Sequence, residues 1–378
     1  MKGLLNERVL EIEESLIRKF SDYARSVGAK YILTLGEPDF ATPDVIKKAC
    51  IAALDADKTQ YAQTPGNLDF RQKICEFEKR VNKVDYKPSE VTITVGATEA
   101  LTTAILTMLS PGDEIIVLSP SYPLYKNIVM FAGGKVVAID TSENRFQLSK
   151  EMLDEAITDK TKAIILTSPN NPTGSILTDE SLEIVHQAVK KHKFFVISDE
   201  VYNQILYSKR RLGISKYQDI RDYIIVCQSL SKPYAMPGWR IGYMLASTAF
   251  TEHALKIHQY MVVSVNKFIQ DAGIAALDYD PSEMIESYRE RRDYVYHRLV
   301  KMGMDVDLPE GTFYIFPSIK QFDLKSWEFC ERLAIEESIA LVPGLAFDAD
   351  DFIRISYCVD KNLLALAMDK LENFLKRL

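Results

Sequence analysis

Ser229-Leu230-Ser231-Lys232, followed closely by Gly238-Trp239-Arg240, brings together a primary amine, two hydroxyls and a guanidinium. The run before it, Tyr223-Ile224-Ile225-Val226-Cys227, reads as a buried strand. A lysine in the turn beyond such a strand sits where ligands bind in open α/β sheets, outside the carboxyl ends of the strands. Partial desolvation there lowers an amine's pKa and equips it to form an imine with a carbonyl compound. The hydroxyls and the arginine suit a phosphate. Taken alone, the same residues also describe a solvent-facing lysine in a polar loop.

Four more segments fall at strand ends or helix starts. Gly96-Ala97-Thr98 lies between a strand and a helix, where backbone N–H groups favour an anion. An ordinary glycine turn with a threonine cap reads the same way. In Ser119-Pro120-Ser121-Tyr122-Pro123, Tyr122 can stack on a planar ring or face the core. Ser168-Pro169-Asn170-Asn171-Pro172-Thr173-Gly174 is dense in turn formers, and an asparagine held there can bond a cofactor oxygen or a substrate carboxylate. In Phe194-Phe195-Val196-Ile197-Ser198-Asp199-Glu200-Val201-Tyr202 an acid ends a very apolar strand, which is costly unless the acid is paired. A pyridinium nitrogen is one such partner; capping the next helix is the alternative role for Asp199. An imine-forming lysine, a phosphate site and an acid for a pyridinium together point to pyridoxal 5'-phosphate.

The elements that must position these groups alternate. Short apolar runs predict strands over 91–95, 114–118, 135–139, 163–167, 194–198, 224–227 and 241–245. Helical spacing predicts helices over 99–109, 124–131 and 179–191. The pattern is that of an α/β fold with a mainly parallel, doubly wound sheet. After about residue 276 the texture becomes α+β, with a long charged helix over 281–302, helices over 327–337 and 363–375, and strands over 312–317 and 353–357. At the N-terminus, 9–27 reads as an amphipathic arm or helix and 31–35 as a strand running into Gly36-Glu37-Pro38. The expected division is an arm over 1–40 packing with a small domain over 276–378, and a large domain over 41–275.

At 378 residues the chain suits about two domains. Its net charge of −7, from 46 basic and 53 acidic residues, disfavours nucleic acid as a partner. Lys209-Arg210-Arg211 is too short a basic run to change that and reads as a solvated loop. Five scattered cysteines form no CxxC or CxxH pair, so no metal site is expected, and reduced thiols fit a cytoplasmic setting. The charged N-terminus is unlike a signal peptide, and no apolar stretch approaches the ~20 residues that span a bilayer.

Taken in order, phosphate turn, aromatic, Asn-Pro turn, strand-end Asp, Lys and Arg, the chain resembles the fold type I pyridoxal-phosphate enzymes, and within them the class I aminotransferases. SPNNPTG, SDEVY and SLSK…GWRIGY carry the resemblance, which runs from about Arg8 to the C-terminus. It lies nearest the bacterial aminotransferase A group linked with N-acetyl-diaminopimelate, with aromatic and aspartate aminotransferases as neighbours.

The resemblance implies that Lys232 carries the cofactor and acts as the base, Asp199 faces the ring nitrogen, and Asn171 and Tyr202 bond the ring oxygen. Tyr122 stacks on the ring, and Ala97, Thr98, Ser229, Ser231 and Arg240 hold the phosphate. Tyr61, in Gln60-Tyr61-Ala62-Gln63-Thr64-Pro65-Gly66, matches a tyrosine that reaches the neighbouring subunit's phosphate, so a homodimer with shared sites is implied. Arg354 matches the grip on the substrate α-carboxylate, and Gly36 a backbone contact to the substrate. The expected reaction is amino transfer from an L-amino acid to a 2-oxo acid such as 2-oxoglutarate.

Two departures stand out. The loop Phe347-Asp348-Ala349-Asp350-Asp351 is shorter and more acidic than usual, and Thr98 stands where aspartate-selective relatives often carry lysine. A carbon–sulfur β-lyase would use the same Lys232 and Asp199. A regulator built on this fold would need a DNA-binding domain for which the short arm leaves no room, and a Rossmann-type binder would need a GxGxxG motif.

Overall fold

The computed structural model describes residues 2–12, 14–208 and 213–378, so the basic run 209–211 lies outside the described residues. Among the described residues twelve strands follow one another: β1 (Tyr31–Ile32), β2 (Val91–Thr94), β3 (Glu114–Ser119), β4 (Lys135–Asp140), β5 (Thr161–Thr167), β6 (Phe195–Asp199), β7 (Ile224–Ser229), β8 (Gly242–Leu245), β9 (Tyr314–Ile315), β10 (Ile339–Ala340), β11 (Val342–Pro343) and β12 (Ile353–Ser356). Seven of them form one sheet in the order β2-β8-β7-β6-β5-β3-β4. All run the same way except β8, which is antiparallel to both neighbours.

The apolar runs are continuous because both faces of this sheet are covered. Ile116, Ile164, Val196 and Val226 pack into one core, while Ile115, Ile165, Ile197 and Ile225, one residue out of step, pack into another. The helix Gly96–Met108 adds Ala100, Leu101, Ala104 and Ile105 to the second core. A third core gathers Phe20 and Leu33 with Phe313, Ile315, Phe329, Ile355 and Phe374, around the antiparallel order β11-β12-β9. Parallel pairing of β1 with β10 ties the N-terminal segment to this part.

The N-terminal segment, expected as an amphipathic arm or helix over 9–27, is helical in two pieces. Ser15 accepts a hydrogen bond from the Arg18 N–H and starts a new helix, Leu16–Ser26, after a short turn of helix at Glu7–Leu10. The strand expected over 31–35 forms ladder pairs only at Tyr31–Ile32, and that over 312–317 only at Tyr314–Ile315. In both, the flanking backbone still bonds to β12 or the residue after it, outside a regular ladder, as in Tyr357 N–H to Phe313 O and Ser356 N–H to Leu33 O.

Candidate active site

A cavity of about 480 Å³ opens at the carboxyl ends of the parallel strands, beneath the N-terminal helix and β12. Twelve of the thirteen residues nominated from sequence line it, from Gly36 to Arg354. A far smaller space of about 80 Å³ lies beside Glu78 and Glu200, with none of those residues around it.

Lys232 follows β7 directly, and its Nζ donates to the Gly36 carbonyl at 2.5 Å. Burial, opposed by Cys358 and Glu37, brings its pKa down to about 8. An amine so placed is available as a base or nucleophile near neutral pH. Asp199 ends β6 and is buried, which pushes its carboxyl up to about 6 against the pull of two donors. Those donors are the Tyr125 hydroxyl at 2.7 Å and the Val201 N–H at 3.3 Å. Tyr125 also meets the Thr167 hydroxyl at 2.7 Å, so its phenol is aimed by β5.

At one end the cavity is built for an anion. The helix Gly96–Met108 points its first turn, with Ala97 and Thr98, into the space. Gly96 has φ +74°, and a Cβ there would lie 2.8 Å from Arg240 Nη2. Gly242 is tighter still: a Cβ would lie 2.4 Å from the Gln228 carbonyl and 2.9 Å from the Gly96 backbone. Glycine at both positions lets the helix end, the Arg240 guanidinium and β8 close on one point. Ser229 Oγ donates to Ser231 Oγ at 2.8 Å and accepts from the Ser231 N–H at 3.1 Å. Arg240 reaches only the Pro237 carbonyl and has no acidic partner among the described residues.

At the other end sits Arg354, 2% exposed. Its Nη1 donates to Asn171 Oδ1 and its Nη2 to the Thr34 carbonyl, both at 2.9 Å. Its guanidinium lies 4.3 Å from the Tyr314 ring centroid and 4.9 Å from that of Phe347. Arg354 Nε is buried with no partner, a charged donor without its acceptor. The acids of the preceding loop turn away. Asp350 caps the helix Ser326–Glu337 through the Ser326 N–H and hydroxyl, and Asp351 pairs with Lys325. Phe347 of that loop is thus the part that faces the arginine.

Tyr202 meets the Tyr314 hydroxyl at 3.0 Å. Tyr122 lines the cavity edge-on to Tyr125, and burial raises its phenol pKa. Tyr61 is the nominated residue that the fold keeps apart: it is 83% exposed and outside the cavity.

Among the contributors that escaped the sequence reading are Thr34, Tyr125, Thr167, Tyr314 and Arg18. Arg18, at the start of the helix Leu16–Ser26, lines the cavity with no acidic partner among the described residues. The signal available for Tyr125 was its place in the first turn of the helix that follows the Tyr122 segment.

The family model "Aminotransferase class I and II" matches residues 29–371. A Bacillus subtilis protein named probable N-acetyl-LL-diaminopimelate aminotransferase is 40% identical over 99% of this chain and 96% of its own. An aspartate aminotransferase of Thermotoga maritima is 36% identical over 98% and 99%. The solved structure of Thermus thermophilus aspartate aminotransferase with maleate superposes with a TM-score of 0.92, at 32% identity over 98% and 99%.

Proposed function

The chain belongs to the class I and II aminotransferases, enzymes that move amino groups with pyridoxal phosphate, and we propose that its donor is N-acetyl-LL-diaminopimelate and its acceptor 2-oxoglutarate. One observation carries the reading of the site: a half-buried amine, a buried carboxylate and a buried arginine with an orphaned Nε face one cavity. The residues present fit the cofactor. Two glycines whose Cβ atoms would clash leave room at the helix start for a phosphate, and Ser229, Ser231, Thr98 and the unpaired Arg240 supply donors there. Asp199 supplies the charge for a ring nitrogen, Tyr122 a face for the ring, and the Tyr202 hydroxyl and Asn171 amide donors for its oxygen.

When bound, the cofactor supplies an electron sink for the pair left on the substrate Cα. Arg354 binds the α-carboxylate, offering Nε beside an Nη in the planar fork that suits a carboxylate, while Thr34, Asn171 and Tyr314 keep the fork still. That grip orients the Cα–H bond toward Lys232 Nζ, which takes the proton and later returns it. Asp199 stays charged beside the ring nitrogen, held by Tyr125 and Val201. The apolar walls and the N-terminal helix exclude water while the proton is on Lys232.

The donor proposal rests on the Bacillus relative and on the two unpaired cations of the substrate end. Arg354 takes one carboxylate and Arg18 faces a second, farther one. The homodimer with shared sites is supported by the exposure of large apolar side chains: Tyr61, Val45, Ile51 and Leu54 of the helix Asp44–Asp55, Tyr260 and Val263. A second copy covering these side chains would bring Tyr61 to the neighbouring phosphate. In this reading residues 41–275 form the cofactor-binding domain, and 276–378 with the arm 1–40 the smaller one, whose core also takes in Tyr202, Ile205, Tyr207 and Ala235. No helix among the described residues could cross a membrane, and all five thiols are free, as a cytoplasmic enzyme requires.

A donor panel against 2-oxoglutarate tests the assignment by glutamate release. The expected ranking in kcat/KM puts N-acetyl-LL-diaminopimelate above aspartate and aromatic amino acids. A higher value for either of the others would remove the donor proposal.

A further inference from the structure

Outside the cavity, His258 is 0% exposed in the helix Thr248–Val262, and both ring nitrogens have partners. Nδ1 lies 2.5 Å from Glu99 Oε1 and Nε2 lies 2.8 Å from the Thr64 carbonyl. A main-chain carbonyl only accepts, so Nε2 carries hydrogen. The second proton then lies between Nδ1 and Glu99. Glu99 Oε2 accepts the Val95 N–H at 2.5 Å at the start of the helix Gly96–Met108. Glu99 thus has a partner on each oxygen, and each ring nitrogen of His258 faces an oxygen.

The position gives this pair a consequence. Glu99 immediately follows Ala97 and Thr98, which line the anion end of the cavity. A bare carboxylate in that first turn would repel a phosphate bound by the same turn. We infer that His258 is a positioning residue for the cofactor phosphate: held as an imidazolium, it neutralises Glu99 beneath the phosphate turn and ties that turn to the loop bearing Tyr61. This rests on the proposed cofactor site. Glu99 is the charged group that contacts the ring among the described residues. The Thr64 contact fixes the loop Gln60–Gly66 to the same helix start, so one buried ring sets the geometry of both.

The test compares pyridoxal phosphate with pyridoxal, which lacks the phosphate. In His258→Gln the affinity for pyridoxal phosphate should fall about tenfold or more while that for pyridoxal stays within about twofold. The double variant His258→Gln/Glu99→Gln should regain most of the loss, because it removes the uncompensated charge. Equal weakening of both ligands would mean a packing role only and would overturn the inference. If the single variant does not fold, nitrogen-15 spectra of the wild-type protein decide. The inference requires one histidine with both ring nitrogens protonated at neutral pH, assigned through its absence in the double variant. A neutral-tautomer signal for His258 would overturn it. A wild-type protein that binds neither ligand would instead overturn the cofactor site itself, a separate and recognisable result.

Discussion

Tyr125→Phe removes one hydroxyl and leaves the ring in the core, where Tyr125 is 1% exposed. What it takes from Asp199 is the shorter of two hydrogen bonds, 2.7 Å against 3.3 Å from the Val201 N–H. A hydrogen bond to a charged group contributes roughly 1.5–3 kcal/mol, which at 1.36 kcal/mol per unit is about one to two pKa units. The Asp199 carboxyl, already at about 6 through burial, would move to about 7–8 in the cofactor-free protein.

The sign follows from proton linkage. An acid whose folded pKa lies above its unfolded value binds more protons when folded, so stability is lost as pH rises through the folded pKa. In the wild type that loss is complete by about pH 7, and in the variant it continues to about pH 8–9. Urea unfolding of the cofactor-free proteins at pH 5 and pH 9 measures it. At pH 5 Asp199 is largely protonated in both, and the variant should lose only about 1 kcal/mol for a neutral hydrogen bond. At pH 9 the difference should grow by a further ~1.5–3 kcal/mol. A difference that is the same at both pH values would refute the claim that Tyr125 stabilises the Asp199 anion.

Arg354→Lys keeps the charge but not the fork, and should lower kcat/KM about 10- to 100-fold for donor and acceptor alike, chiefly through KM; steady-state kinetics with both substrates checks it. Gly242→Ala drives a methyl to within 2.4 Å of the Gln228 carbonyl, and should lower stability by about 1–3 kcal/mol and cofactor affinity with it, as read by urea unfolding and absorbance titration. Tyr61→Phe should weaken cofactor retention during dialysis while leaving the protomer's stability within ~0.5 kcal/mol, since Tyr61 is exposed in the isolated chain.

The sheet was legible because parallel strands buried on both faces appear as uninterrupted apolar runs, and β3 to β7 fall within two residues of their expected ends. The helices Thr248–Val262 and Lys267–Asp278 left no such mark. Each spreads small and polar residues among its buried positions, Gln270 and His258 included, so the apolar stripe is blurred. The residues that line the cavity followed from motifs at strand ends. Tyr314 could not be found that way, since its partners Tyr202 and Arg354 lie 112 and 40 positions away and meet it only through β9 and β12. Local spacing likewise gave no hint that the acids at 350 and 351 serve a helix cap and an exposed lysine rather than the site.

The central claim is that the Lys232 amine is the covalent anchor of the cofactor. Borohydride reduction of the cofactor-loaded protein, followed by peptide mass mapping, tests it directly. The expected result is one phosphopyridoxyl label per chain, on Lys232, with none in Lys232→Ala. A label on another lysine, or a Lys232→Ala protein that still takes one, would contradict the account.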